Sequence, residues 1–224
     1  MPMPERFINS KVLKYITWPQ YKYGCSLASL TCVVNYLYAG QIGVQMPEEV
    51  ARMLGKEAED IGWDGGPSDK TLIQWFDQFV KRKRIGGSAN IGFARRDVAD
   101  LSHNRSVCNK FNSVAHDENK VMAKSGANHY LLVAGYFDAA VEPESAYTDD
   151  SVRWIVLADH WPGGALSRVP APLKHCAREA IRALSECGLD LSLCLTNTPV
   201  RCKRWRDVRQ DVLRRGHKIL VFSK

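Results

Sequence analysis

The feature that most constrains the fold is an apolar and small-residue segment from Cys25 to Tyr38, which directly follows Gly24. When this segment is placed on a helix, apolar side chains fall on nearly every face, whereas a surface helix shows a single apolar stripe. The segment therefore predicts a helix that other elements enclose, with Cys25 in its first turn and its end at Gly40. A chain of 224 residues is long enough to bury such a helix.

Two later segments, residues 129–137 and 152–159, have the composition of buried strands. Both are rich in aliphatic and aromatic side chains, and an acidic, proline-containing linker joins them. Helical segments come first and strands follow, which favours an α+β fold with a small antiparallel sheet. The sequence predicts one domain over residues 1–224, with a basic C-terminal segment at 201–224.

Shorter patterns predict the remaining elements. They are a helix from Pro47 to Leu54, a helix capped by Ser68 that ends near Lys83, a short helix near Arg95 to Leu101, a strand at 120–124, helices at 171–187 and 205–214, and a last strand at 217–222. We expect loops in the rest of residues 84–119, where the pattern is weak.

The formal net charge of +7 lies entirely in the C-terminal segment. Residues 201–224 contain nine Lys/Arg and two Asp/Glu, whereas the rest of the chain is balanced. The stretch 201–215 predicts either a solvated helix or a surface that attracts an acidic protein, and it leaves nucleic-acid binding open. No apolar run approaches the roughly 18 residues of a membrane span, so we expect no membrane insertion.

Seven cysteines occur without a CxxC pair. The N-terminus lacks the basic and apolar regions of a secretory signal, so we expect reduced thiols and a cytoplasmic location, or delivery into a target cell without a Sec signal. No two Cys/His pairs have zinc-ligand spacing, and the sequence predicts neither a metal nor a cofactor. Cys32, seven residues after Cys25, is predicted to be a core residue.

Cys25 is the candidate nucleophile. The first turn of a helix carries partial positive charge, which favours the thiolate. His129 begins one predicted strand and Asp159 ends the next, so antiparallel pairing would bring the two side chains together as base and orienting group. Gln20, five residues before Cys25, is the candidate oxyanion donor.

Three ordered segments resemble the papain superfamily, and within it the bacteriocin-processing (C39-like) peptidases. They are Gln20-Tyr-Lys-Tyr-Gly-Cys25-Ser-Leu-Ala-Ser-Leu, Asn128-His129-Tyr-Leu-Leu-Val-Ala-Gly-Tyr, and Ile155-Val-Leu-Ala-Asp159-His-Trp-Pro-Gly-Gly. The resemblance implies a papain-like fold and a cysteine peptidase acting through an acyl-enzyme. By position, it makes Cys25 the nucleophile, His129 the base, Asp159 the orienting residue and Gln20 the oxyanion residue.

Several alternatives remain open at this stage. His160 competes with Asp159 for His129, and we favour Asp159 because an acceptor fixes the imidazole tautomer; His160 then belongs to the surface or a substrate cleft. The same triad would serve a glutamine deamidase, a transpeptidase or an amidase. A bacterial toxin would have a protein or peptide substrate and an inhibitor or immunity protein. The non-enzymatic alternative is an adaptor that binds protein or nucleic acid.

Overall fold

The computed structural model describes residues 6–16, 24–58, 67–99, 104–126, 129–138, 153–160 and 200–224. Helices in these ranges are α1 (Ser10–Lys14), α2 (Cys25–Ile42), α3 (Pro47–Met53), α4 (Asp69–Lys83), α5 (Arg95–Val98), α6 (Asn104–His116) and α7 (Trp205–Arg215). The strands are β1 (Arg6–Ile8), β2 (Ser88–Phe93), β3 (Lys120–Gly126), β4 (His129–Asp138), β5 (Arg153–Ala158), β6 (Val200–Arg204) and β7 (Ile219–Ser223).

All seven strands form one sheet in the order β2-β7-β3-β4-β5-β6, and β1 pairs with the later half of β4. Each pairing is antiparallel. The last strand in the chain, β7, lies between β2 and β3, so residues distant in sequence meet in the middle of the sheet. The predicted α+β class is confirmed: antiparallel strands and separate helices build the fold.

Helices cover both faces of the sheet. Alternate residues of each strand point to opposite sides, and both sides carry apolar side chains that the helices bury. On one face, helices α1 to α4 pack against Val121, Ala123, Tyr130 and Leu132. On the other face, α5, α6 and α7 pack against Met122, Leu131 and Val133, with aromatic side chains from both α6 and α7 in that core. The described residues therefore form two hydrophobic cores, one on each face of the sheet.

Helix α2 is the buried helix that the apolar segment predicts. Its residues from Cys25 to Tyr38 are all buried. The expected end at Gly40 is wrong: Gly40 is helical, and the helix continues to Gly43, which adopts a φ of 75°. A glycine in this left-handed region ends a helix without the steric penalty of a β-carbon, and that requirement falls on Gly43.

The region 84–119 contains more structure than its sequence pattern predicts. The short helix at Arg95 is present, but β2 and the 13-residue helix α6 replace the expected loops. Strand β2 pairs with β7 alone among the described strands, which explains its polar, non-alternating sequence. Helix α6 buries Val107, Cys108 and Phe111 against the sheet.

The other predicted elements within the described ranges are confirmed to within a few residues. Helix α4 begins as expected, with the Ser68 hydroxyl accepting a hydrogen bond from the Thr71 amide at 3.1 Å. Strands β3, β4, β5 and β7 and helices α3 and α7 occupy the predicted segments. The predicted helix at 171–187 lies outside the described residues.

In the part of the chain that is described, no single helix is long and apolar enough to cross a membrane. Helices α2 and α3 together have the length and composition of a membrane span, but the pair is bent by 88° at the break between them.

Candidate thiol site

Cys25 occupies the first turn of α2, at the point where the extended residue Gly24 leads into the helix. Its side chain is 7% exposed, so the thiol lies at the margin of the core. A helix leaves its first N–H groups without intrahelical acceptors, and these groups concentrate partial positive charge beside the Cys25 sulfur. Cys25 therefore lies where the helix presents partial positive charge.

His129 begins β4 and links the helix to the sheet. Its Nε2 lies 2.8 Å from Asp159 Oδ1, and the imidazole also hydrogen-bonds the Cys25 side chain. Burial alone would lower the pKa of His129, but the hydrogen bonds and negative charge of Asp159 and Cys25 raise it from 6.5 to about 9. At neutral pH the imidazole is therefore protonated and donates to both partners.

Asp159 follows the last residue of β5 and is fully buried. Its Oδ1 receives the His129 hydrogen bond, and its Oδ2 forms an ion pair with Nε of Arg201 from β6. Strand pairing produces this arrangement, because Leu157 is opposite Arg201 and Asp159 lies two residues further on. The carboxylate thus sits between two cationic side chains from neighbouring strands.

The structure brings three of the four candidate residues together; Gln20 lies outside the described residues. His129 contacts Asp159, whereas His160 is fully buried, so the expectation that His160 lies at the surface or in a cleft is wrong. Cys32 is a core residue as predicted: its thiol donates to the Val12 carbonyl at 3.4 Å, and burial raises the pKa of Cys32. The described residues contain no group of three metal-ligating side chains.

Tyr130 connects the site to the beginning of α4, a contact that sequence reasoning did not identify. Its hydroxyl donates to the Pro67 carbonyl at 2.8 Å and lies 3.2 Å from Asp69 Oδ1. Burial raises the pKa of Tyr130, and the negative charges of Asp69 and Cys25 raise it further. Asp69 also forms an ion pair with Lys218 at 3.4 Å, so β4, α4 and the C-terminal segment meet beside the site.

The basic C-terminal segment is divided between internal and surface roles. Arg201 binds Asp159, and the buried Arg209 donates to the Val98 carbonyl at 2.8 Å. Other cations of the same layer are exposed, and we call them the basic face. They are Arg95 and Arg96 of α5, Arg105 and Lys110 of α6, and Arg206, Arg214 and Arg215 of α7.

Comparison with known proteins identifies the family. Residues 4–164 match the family model of the basic immunoglobulin-like variable motif-containing protein. The chain belongs to this family. The proteins of that name from Mus musculus and Homo sapiens are each 24% identical over 76% of this chain, and the Xenopus laevis protein is 25% identical over 61%. The chain spans about a third of the length of these curated relatives, 36%, 36% and 30% respectively.

The family membership corrects four expectations drawn from the sequence. The identification as a C39-like peptidase is wrong, because the matching family model and relatives are of a different family. The assignment as a cysteine peptidase, and with it the hydrolase classification, is wrong for the same reason. The interpretation as a bacterial toxin or effector is also wrong, since the relatives are vertebrate proteins.

Proposed function

We propose that this chain is a protein-binding module that attaches to an acidic polypeptide segment through the basic face. The observation that carries this proposal is the concentration of seven exposed cations on helices α5, α6 and α7. On these three helices, Asp207 is the one exposed carboxylate, whereas Asp97 is half-buried and Asp211 is buried. Such a surface attracts an acidic partner before contact and accelerates its association.

The chemistry of the basic face suits carboxylates. Six of its seven cations are arginines, whose guanidinium group binds a carboxylate through two parallel hydrogen bonds. The helices that bear these arginines are held firmly: Trp205 is buried, and its indole N–H donates to Asn104 of α6 at 3.0 Å. A rigid support reduces the entropy lost when a partner binds.

An acidic protein fits this face better than a nucleic acid. The carboxylates of Asp97 and Asp207 lie on the same helices as the cations and would repel the uniform charge of a phosphate backbone. The aromatic side chains of α6 and α7, Phe111 and Trp205, are buried and offer no stacking surface for bases. A polypeptide can place acidic and basic side chains to match a mixed pattern.

The test compares two triple variants that lose the same charge. The first variant replaces three residues of the basic face by Gln: Arg95, Arg96 and Arg214. The control replaces three exposed residues of the opposite layer by Gln: Arg52, Lys70 and Lys81. Binding of a fluorescent poly-glutamate peptide is measured by anisotropy at low and high salt. Because the first variant loses three exposed charge contacts, it binds the peptide about tenfold more weakly than wild type at low salt. This difference disappears at high salt, where the charges are screened.

Equal weakening by both variants would mean that net charge alone determines binding and would contradict a specific basic face. A fluorescent DNA duplex is the second probe. If it binds more tightly than poly-glutamate and responds to the same arginines, the partner class is nucleic acid and the proposal is wrong.

A second function is supported by one specific observation, the contact of Cys25, His129 and Asp159. The arrangement matches a thiol nucleophile, a proton-transferring base and its orienting acceptor. We propose that these residues act on the side-chain amide of glutamine in a protein, with Gln20 as an oxyanion donor. In finer terms the fold would then be papain-like, with a cysteine-led helix packed on an antiparallel sheet.

In this chemistry the Cys25 sulfur attacks the amide carbon, and a carbon–sulfur bond forms as the carbon–nitrogen bond breaks. His129 donates its proton to the leaving nitrogen, which departs as ammonia. The thioester then passes its acyl group to a primary amine, and the neutral imidazole takes the proton released. Each step uses only groups of this site and the two reactants.

Glutamine-containing peptides incubated with a primary amine test this second function. Expected results are ammonia release, an intact peptide backbone in the mass spectrum, and complete loss of both signals in Cys25→Ala. The Cys32→Ala protein, which removes a second thiol of the same helix, serves as the control and retains the reaction. Absence of ammonia release from the wild-type protein across glutamine-rich sequences would contradict the chemistry.

A further inference from the structure

We infer that Arg201 is a positioning residue of the thiol site: its guanidinium fixes the Asp159 carboxylate so that the opposite oxygen faces His129. The inference rests on the second proposed function, the chemistry of Cys25. It assigns a role within the site to a residue that the sequence places in the basic C-terminal segment, where an outward-facing role is expected.

The register of the sheet places Arg201 at Asp159. Arg201 pairs with Leu157 across β5 and β6, and Asp159 lies two residues beyond Leu157 on the same side of the chain. Arg201 Nε contacts Asp159 Oδ2, while His129 Nε2 contacts Oδ1. The two oxygens of one carboxylate therefore have different cationic partners, which fixes its rotation about the side-chain bonds.

Burial makes the charge of this second partner important. Asp159 is fully buried, and the solvation energy that its carboxylate loses is large enough to exceed the gain from one ion pair. Arg201 supplies a permanent positive charge, because its guanidinium does not titrate in the accessible pH range. This charge therefore stays beside Asp159 in both protonation states of His129.

The side chains that contact this carboxylate come from different elements of the sheet. His129 approaches from β4, Arg201 from β6, and the neighbouring His160 is fully buried. Cys25 of α2 is connected through the His129 ring. Arg201 is 37% exposed and so lies at the rim of the site, where its substitution removes little core packing.

The test measures the reactivity of Cys25 with iodoacetamide as a function of pH, read by peptide mass spectrometry, together with the NMR titration of the His129 ring. In Arg201→Gln, the His129 midpoint moves down from about 9. The same loss of support for the protonated ring slows the alkylation of Cys25 at neutral pH. Arg201→Lys restores part of the rate, because it keeps the charge without the planar geometry. Arg204→Gln, an exposed arginine of the same strand, leaves both profiles unchanged.

An Arg201→Gln protein with the wild-type titration and alkylation profiles would overturn the inference. A His129→Gln protein in which Cys25 is alkylated as fast as in wild type would instead overturn the thiol site itself. If Arg201→Gln does not fold, the Arg201→Lys protein decides the question: a profile identical to wild type shows that charge without geometry is sufficient, and the positioning role fails.

Discussion

At the scale of single residues, three described thiols differ in their surroundings. Cys32 and Cys108 are at most 1% exposed, and burial raises the pKa of Cys32. Cys25 is 7% exposed and contacts a protonated imidazole. A thiolate reacts with alkylating reagents and a buried neutral thiol does not, so we expect Cys25 to be the most reactive of the three.

The first prediction follows from this difference. Iodoacetamide at neutral pH should alkylate Cys25 before Cys32 and Cys108 in the folded protein, as mapped by digestion and mass spectrometry. In urea, where the three thiols share one environment, the rates should become equal. Labelling of Cys108 ahead of Cys25 would show that the imidazole does not activate the thiol.

The second prediction concerns the dependence of stability on pH. His129 binds its proton more tightly in the folded state, so its contribution is complete below pH 6.5 and is lost as the pH rises through about 9. Because the side chain is 30% exposed, we expect a loss of about 2 kcal/mol in the free energy of unfolding. Urea denaturation of wild type and His129→Gln between about pH 6 and pH 10 measures it; parallel curves would contradict the prediction.

At the scale of elements, two glycines predict opposite effects on stability. Gly135 has a φ of 151°, and an added β-carbon would overlap the Phe7 carbonyl where β1 pairs with β4. We expect Gly135→Ala to cost about 2–4 kcal/mol. Gly40 lies inside α2 with open space beside it, so Gly40→Ala should stabilise by about 0.5–1 kcal/mol. Thermal melts of the two proteins should shift in opposite directions.

The elements that were predicted correctly have strong local patterns. Helix α2 is apolar throughout, α4 has a capping serine, and β4 and β5 are rich in strand-forming residues. Strand β2 was missed because an edge strand with one buried face needs few apolar residues. Helix α6 contains three asparagines and two serines, which weaken its helix propensity. Val107, Phe111 and Ala115 nevertheless recur at helical spacing and could have identified it.

The candidate site was predictable only where strand geometry determined it. The positions of His129 and Asp159 at the ends of adjacent strands follow from antiparallel pairing. The contact of Arg201 with Asp159 depends on β6, which is 42 positions further along the chain, and no local pattern specifies that pairing. The family comparison, which requires other sequences, overturned the peptidase assignment that the motifs alone had suggested.

At the scale of the whole molecule, β7 holds the two parts of the sheet together. Leu220 of this strand is fully buried and lies opposite residues of both β2 and β3. Leu220→Ala should cost about 2–5 kcal/mol. Ile91→Ala, on the outer strand β2 with 42% exposure, should change stability by about 0.5 kcal/mol or less. Urea denaturation followed by fluorescence compares them, and equal effects would contradict a central role for β7.

The central position of β7 has a consequence for synthesis on the ribosome. Strands β2 and β3 have been made long before residues 219–223, but both need that strand as a hydrogen-bonding partner. During translation their facing edges remain open, and an open strand edge is a site for pairing with other chains. We therefore expect the nascent chain to be prone to such pairing until residues 219–223 have left the ribosome and paired with β2 and β3.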